Sequence, residues 1–167
     1  VIGYLGLGSN VGDSIANLSE AVHLLAEEGL VVVARASLYE TAPQGEILDQ
    51  PDFVNSVIKV ETHLGPIQLL ELAKSVEHAM GRDPDGVRHG PRPIDIDILM
   101  LGERPYASER LDLPHREIRT RRFVLEPLLE IEPGFTLPDG TRAADLLATV
   151  ADQPVRLIGP FQRGPRS

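Results

Sequence analysis

The stretch Ile94-Asp95-Ile96-Asp97-Ile98-Leu99-Met100-Leu101 constrains the fold more than any other part of the chain. Apolar and acidic residues alternate in its first half, and successive side chains on a strand point to opposite faces. Ile94, Ile96 and Ile98 therefore turn one way, while Asp95 and Asp97 share the other face. Two carboxylates about 7 Å apart on a rigid strand, with no Lys or Arg between them, repel unless they share a cation or take up a proton. A divalent metal meets that need. An edge strand carrying acids for solubility shows the same alternation, so the Asp pair alone leaves both readings open. The lead-in tips the balance: Pro91 and Pro93 stiffen the chain on both sides of Arg92 and set a guanidinium beside the pair. Metal ligands next to an arginine point to a phosphate chain.

A length of 167 residues suits one domain with a real core, and the absence of cysteine rules out disulfides and thiolate metal sites. No apolar run approaches the roughly 20 residues of a membrane span, and no charged-then-apolar leader opens the sequence. The expectation is a cytoplasmic protein without membrane contact, and a monomer. A net charge of −9 speaks against general nucleic-acid binding. That charge is uneven, however. Residues 1–81 hold 3 Lys/Arg against 11 Asp/Glu, whereas 82–122 hold 9 against 8, and all 9 are arginine. A solvated Arg-rich loop accounts for most such clusters, but arginine without a single lysine favours bidentate phosphate recognition.

Val1–Leu7 reads as a buried strand, followed by a Gly8–Asp13 turn into a helix that Asp13 caps. Gly6, Gly8 and Gly12 miss the dinucleotide-loop spacing and no Gly-Lys-Ser/Thr follows, so both phosphate-loop motifs are rejected. Ile15, Leu18, Val22 and Leu25 recur at helical spacing as core. Leu30–Tyr39 and Phe53–Glu61 are β-rich, and the Thr41–Asp52 stretch between them is a candidate active-site loop. Phe53 and Asn55 share a strand face, where a ring beside an amide can hold a flat heterocycle; an ordinary half-buried strand is the simpler alternative. Pro66 opens a second helix with Leu69, Leu72, Ala73, Val76 and Met80 inside and Leu70, Lys74 and Glu77 on a flank. Arg82–Pro93 is a linker that an anion would order. The element order β-α-β-β-α-β predicts an α+β, ferredoxin-like antiparallel sheet with helices on one face, plus a C-terminal helical extension. That extension comprises a helix over Phe123–Ile131 interrupted early by Pro127, and a last helix Arg142–Val150 capped by Thr141. Residues 1–158 form one catalytic domain and 159–167 a frayed tail.

Several segments together resemble one family, 6-hydroxymethyl-7,8-dihydropterin pyrophosphokinase. They are Leu7-Gly8-Ser9-Asn10, Tyr39-Glu40-Thr41-Ala42-Pro43, Gln50-Pro51-Asp52-Phe53-Val54-Asn55, Gly90–Leu99, Leu113-Pro114-His115 and Arg121–Leu128. They come in the family's order from residue 4 to about residue 140, and the set is far more specific than any member.

The resemblance implies transfer of pyrophosphate from ATP to a pterin hydroxymethyl group in folate biosynthesis, with two Mg²⁺ ions held by Asp95 and Asp97. It implies that Arg82 and Arg92 grip the transferred phosphates. Leu70, Lys74, Glu77, Ile98, Arg110, His115, Arg116 and Arg121 would complete the ATP site. Phe53 and Phe123 would sandwich the pterin, with Thr41, Ala42, Asn55 and Asp95 around its edge. The chain departs from the family at Pro84 and His89 in the linker, where basic and aromatic residues are common. Lys74 and Arg116 likewise replace an amide and a tyrosine. These departures bear on affinity and loop rate more than on reaction type. Two rivals stand beside this reading: a ferredoxin-like ligand-binding module without catalysis, and a two-metal phosphohydrolase with water as acceptor. An RNA-binding sheet is disfavoured by the charge and by an aromatic content of 4%.

Overall fold

A computed structural model of the chain describes residues 1–42, 51–81 and 93–162. The strands and helices follow as β1 (Ile2–Ser9), α1 (Ser14–Glu27), β2 (Val31–Arg35), β3 (Leu38–Thr41), β4 (Phe53–Glu61), α2 (Pro66–Ala79) and β5 (Asp95–Leu101). Then come β6 (Tyr106–Ala107), β7 (Asp112–Leu113), a 3-10 turn Arg116–Arg119, α3 (Arg122–Ile131), α4 (Ala143–Thr149) and β8 (Arg156–Gly159). The main sheet runs β5-β1-β4-β3-β8, with β2 also on β4, and its pairings are antiparallel. The α+β class expected from the sequence holds. The single run expected over Leu30–Tyr39 is two strands, because the Ser37 N–H turns to Glu130 while the Ala36 N–H still donates to Val57 O at 2.9 Å; both pieces pair with β4.

Asp13 caps α1 as its position suggests, its carboxylate accepting the Ala16 N–H at 3.1 Å. Leu18, Val22 and Leu25 of α1 and Leu69, Ala73 and Val76 of α2 are buried. They cover the sheet face built by Leu5, Leu7, Ile58, Ile96 and Ile98, since α1 packs on β1 and α2 on β5. Asn17 of α1 marks this face by donating to Ser9 Oγ at 3.1 Å.

The two helices of the β-α-β-β-α-β unit thus share one face as expected, and the C-terminal extension covers the other. Tyr4 points there, one strand position out of phase with Leu5. Its hydroxyl donates to Glu132 Oε2 at 3.0 Å, just past the end of α3, and Lys59 Nζ reaches the same oxygen at 2.7 Å. Tyr39 Oη donates to Glu130 Oε2 at 2.7 Å, while the Ser37 N–H donates to Glu130 Oε1. Burial and the carboxylate acceptors push both tyrosine hydroxyls well above the usual phenol range, so they stay donors. Helix α3 is thus fastened to β1, β3 and β4 at its C-terminal end, with Val124, Leu125, Pro127 and Leu128 buried.

Pro127 does not interrupt α3, contrary to the sequence reading. A mid-helix proline costs about 3 kcal/mol, and burying Leu125 and Leu128 against the sheet, at about 1.5–3 kcal/mol each, offsets it. Thr141 does not cap α4 either: Arg142 occupies the cap position without a side-chain bond, and the Thr141 N–H goes to Asp139 Oδ1 at 3.0 Å. Beyond it the chain adds a strand that the sequence reading does not include. Gly159 of β8 pairs with Leu38 of β3, and Phe161 is buried with Arg35 5.0 Å over its ring. No helix among the described residues is long and apolar enough to cross a membrane.

Candidate active site

The register of β1 with its two neighbours builds the floor of the site. Gly8 faces Asn55 of β4 on one side and Asp95 of β5 on the other; Gly6 faces Val57 and Asp97. Asn55, Gly8 and Asp95 therefore form one row across three strands, on the α3 side of the sheet, and Asp97 begins the next row. The expected strand faces hold: Asp95 and Asp97 are half-buried on this side, while Ile94, Ile96 and Ile98 are buried on the other. Gly8 leaves room here that no other residue would. A Cβ on it would stand 3.0 Å from Asn55 Oδ1 and 3.8 Å from the Phe53 ring.

Asn55 is held in one orientation. Its Nδ2 donates to Thr41 Oγ1 at 2.8 Å, and both side chains are buried, so Oδ1 turns over Gly8 as an acceptor. Phe53 is half-buried on the same face, and Phe123 is half-buried in the first turn of α3. Asn10 fixes the approach to β4 by donating to the Pro51 carbonyl at 3.1 Å.

On the β5 side, His115 follows the β6–β7 hairpin and is pinned to the strand by its N–H, which donates to Leu99 O at 2.8 Å. Its Nδ1 accepts the Glu117 N–H at 3.1 Å, capping the 3-10 turn, and its Nε2 lies 3.9 Å from Asp97 Oδ1. Burial lowers the His115 pKa from its ordinary 6.5, against the opposing pull of the Glu117 carboxylate. The ring is neutral at pH 7, and with Nδ1 used as an acceptor its one proton sits on Nε2, toward Asp97. Asp97, His115 and Glu117 offer ligand atoms within 4.8 Å of one another. This tautomer makes His115 a donor rather than a metal ligand, because a ligating imidazole donates its other nitrogen outward. The metal test thus rests on Asp95 and Asp97. Their half-buried carboxylates on one face are hard oxygen donors that fit Mg²⁺ with phosphate or water completing its shell.

The remaining expected residues spread around this centre. Leu70 is half-buried and Lys74 exposed on α2, and Arg110 reaches α2 through a 3.1 Å pair with Glu71. Arg116 is exposed, Arg121 half-buried, and Ala42 exposed at the end of β3. Ile98 is buried on the face away from the Asp pair, and Glu77, expected on a flank of α2, is buried at 5% exposure. Arg82, Arg92, Pro84 and His89, like most of the Thr41–Asp52 loop, lie outside the described residues. Arg122 and Gln153 were not singled out from the sequence. Arg122 donates to the Gln153 and Ala151 carbonyls at 2.8 and 3.0 Å, and the Gln153 side chain accepts the Arg122 N–H at 2.9 Å. Together they hold the start of α3, where Arg121 and Phe123 flank Arg122. Only the adjacency of Arg121, Arg122 and Phe123 hints at this in the sequence.

A family model described as 7,8-dihydro-6-hydroxymethylpterin-pyrophosphokinase (HPPK) matches residues 4–133. The chain belongs to the HPPK family. It is 49% identical over 135 residues to the 2-amino-4-hydroxy-6-hydroxymethyldihydropteridine pyrophosphokinase of Methylorubrum extorquens, covering 80% of this chain and 84% of that one. The Bacillus subtilis protein of the same name is 43% identical over 131 residues, 78% of this chain and 77% of its own. A mitochondrial folate synthesis bifunctional protein of Pisum sativum is 47% identical over 127 residues, which is 76% of this chain but 24% of that protein. The chain spans about a quarter of that relative and of two from Arabidopsis thaliana, at 23% and 26%. Among solved structures, wild-type Plasmodium falciparum HPPK-DHPS superimposes with a TM-score of 0.71 over 90% of this chain and 41% of that one, at 17% identity. That likeness concerns the fold. Of the residues quoted for the resemblance, the sheet register draws Gly8, Asn55, Asp95 and Asp97 into two adjoining rows.

Proposed function

We propose that this chain transfers pyrophosphate from ATP to 6-hydroxymethyl-7,8-dihydropterin, giving AMP and the pterin diphosphate for folate biosynthesis, with residues 1–158 as the catalytic unit. The observation that carries this reading is the row Asn55–Gly8–Asp95, which sets a fixed amide and a carboxylate on either side of a side-chain-free floor. A flat ring over Gly8 meets the Asn55 Oδ1 acceptor at its N–H edge and turns its hydroxymethyl arm toward Asp95. Phe53 and Phe123 close on its faces, with Thr41 and Ala42 at the rim. Asp97, one row on and beside His115, belongs to the nucleotide side. Leu70, Lys74, Arg110, Arg116, Arg121 and the backbone of Ile98 border that side, and Arg82 and Arg92 grip the phosphates.

In the reaction the hydroxymethyl oxygen bonds to the β-phosphorus as its bond to the α–β bridging oxygen breaks. The hydroxyl proton passes to solvent water, and AMP leaves with the bridging oxygen on its phosphate. Mg²⁺ held by Asp95 and Asp97 would neutralise the polyphosphate charge. The chain's own work is to place the two substrates in line and to stabilise charge with arginine and with the His115 Nε2–H. The test is AMP release from ATP and Mg²⁺, with and without the dihydropterin. AMP is expected only when pterin is present. Phosphate or pyrophosphate release without pterin would replace this reading with a phosphohydrolase, and no turnover with tight pterin binding would replace it with a binding module.

The tautomer of His115 gives a second test. His115→Gln puts an amide N–H near Nε2 but loses the cap, whereas His115→Asn keeps a capping acceptor and loses the reach. His115→Asn is expected to raise the KM for ATP about tenfold, one lost hydrogen bond, at nearly unchanged Tm. His115→Gln should show the reverse: lower Tm and an ATP KM nearer wild type. Equal ATP defects in both variants would refute the donor role.

A further inference from the structure

Glu77 is a carboxylate-bearing residue buried at 5% exposure in the last turns of α2, in a helix whose outer positions are open to water. Its Oε2 accepts the Ile96 N–H at 2.8 Å. Ile96 is the residue between Asp95 and Asp97, and β5 is the edge strand of the sheet, paired only with β1 among the described strands. The outer side of β5 therefore lacks a strand to satisfy its backbone, and an edge left to itself twists and frays. Two groups take up that duty at the Asp pair's end and just beyond it: Glu77 on the Ile96 N–H and the His115 N–H on Leu99 O. A buried acceptor at this place satisfies a backbone donor that the edge strand would otherwise leave without a partner. The 2.8 Å bond ties the strand to α2 at that amide and resists its displacement.

We propose that Glu77 is a positioning residue of the Asp strand: by clamping the amide between Asp95 and Asp97 it fixes the spacing and direction in which the two carboxylates meet a divalent cation. The proposal rests on the metal-binding reading of Asp95 and Asp97 given above. Glu77 works from the opposite face of the sheet, behind the strand, where Ile96 and Ile98 pack toward α2. Its effect on the cation passes through the backbone of Ile96. A ligand set needs placement to about 0.5 Å, and an edge strand pinned at one amide holds that tolerance where a free edge does not.

The experiment uses the full chain with a non-hydrolysable ATP analogue and follows Mn²⁺ binding by electron paramagnetic resonance, alongside hydrogen exchange of the Ile96 amide by NMR. Glu77→Ala is expected to weaken Mn²⁺ binding roughly tenfold, the scale of losing a partner that orients metal ligands, and to speed Ile96 exchange. Glu77→Gln, whose carbonyl still accepts the Ile96 N–H, is expected to keep Mn²⁺ affinity within about twofold and Ile96 slow. Wild-type Mn²⁺ affinity in Glu77→Ala would overturn the proposal, as would a Glu77→Gln variant that loses affinity while Ile96 stays protected. Asp97→Ala separates the two readings. If it binds Mn²⁺ as tightly as wild type, the metal reading of the strand has failed; if it loses Mn²⁺ while Glu77→Ala does not, only the role of Glu77 has.

Discussion

Asp97→Ala is expected to lower the rate of AMP formation by about three orders of magnitude or more, equivalent to at least 4 kcal/mol of transition-state stabilisation. The argument begins with charge. Pyrophosphoryl transfer brings a polyphosphate into a site that already holds two carboxylates on one strand face, and the site functions only if a cation reconciles them. Removing one carboxylate removes half of the protein's hold on that cation. The folded protein itself should not suffer. Like charges on one strand face do little to hold a fold together, and Asp97 is only half-buried, with the His115 ring at 3.9 Å. The variant's Tm without metal or nucleotide is therefore expected to equal or exceed that of wild type. Asp97→Asn preserves shape and should lose nearly as much activity, since the charge is what matters. Turnover near wild type in either variant, measured at saturating Mg²⁺, would remove Asp97 from the reaction.

The same strand shows how much of the architecture is legible without coordinates. Alternation at Ile94–Ile98, most of the helical stripes of α1 and α2, and the Asp13 cap are local signals carried by a few neighbouring residues; the structure places them as read except Ile15, which is exposed in the first turn of α1, and Leu72 and Met80, which are only half-buried. Legibility fails where the deciding partner is distant in sequence. Glu77 looks like a solvent-facing position of α2 until Ile96, 19 residues away, provides a backbone donor. Tyr4 and Glu132 are separated by 128 residues, and nothing near either one announces that α3 lies on the second face of the sheet. Pro127 reads as a break because local propensity disfavours it, yet the buried Leu125 and Leu128 and the ties at Glu130 and Glu132 outweigh that preference. β8 is invisible for a related reason. Four residues without strong alternation become a strand only because β3 offers an unpaired edge.

The candidate site follows the same rule. Phe53 with Asn55, and Asp95 with Asp97, are legible as pairs because each pair lies on one strand. That the two pairs face one another is a fact of register: it depends on β1 lying between β4 and β5 with Gly8 opposite both Asn55 and Asp95. The glycine spacing of β1 invites a phosphate-loop reading, which the motif excludes, and the structure supplies another reason for glycine at position 8.

Gly8→Ala tests that reason. Alanine is accommodated by strand backbone and removes some of the conformational freedom that glycine has in the unfolded chain, a gain that the crowding of Asn55 offsets, so the variant should fold with a Tm within a few degrees of wild type. The added methyl group, however, would stand 3.0 Å from Asn55 Oδ1. Asn55 has little room to yield, because its Nδ2 is bound to Thr41 Oγ1 at 2.8 Å and the side chain is buried. Either the amide turns away from its partner or the ring above the floor is lifted off it. In both cases the pterin loses an edge hydrogen bond and part of its stacking, a combined penalty of about 2–3 kcal/mol, or roughly 10²-fold in kcat/KM. The loss should fall on the pterin alone. Asp97 pairs with Gly6, one row on from Gly8, and His115 stands beside it, so the KM for ATP and the Mg²⁺ dependence are expected to stay within about twofold. Thr41→Val gives the complementary measurement, since it frees the Asn55 amide without filling the floor, and it should reproduce the fraction of the defect that comes from amide orientation. A Gly8→Ala enzyme with unaltered pterin KM would mean that the ring does not lie over β1. The row Asn55–Gly8–Asp95 would then have to be read as sheet packing rather than as the floor on which the acceptor substrate rests.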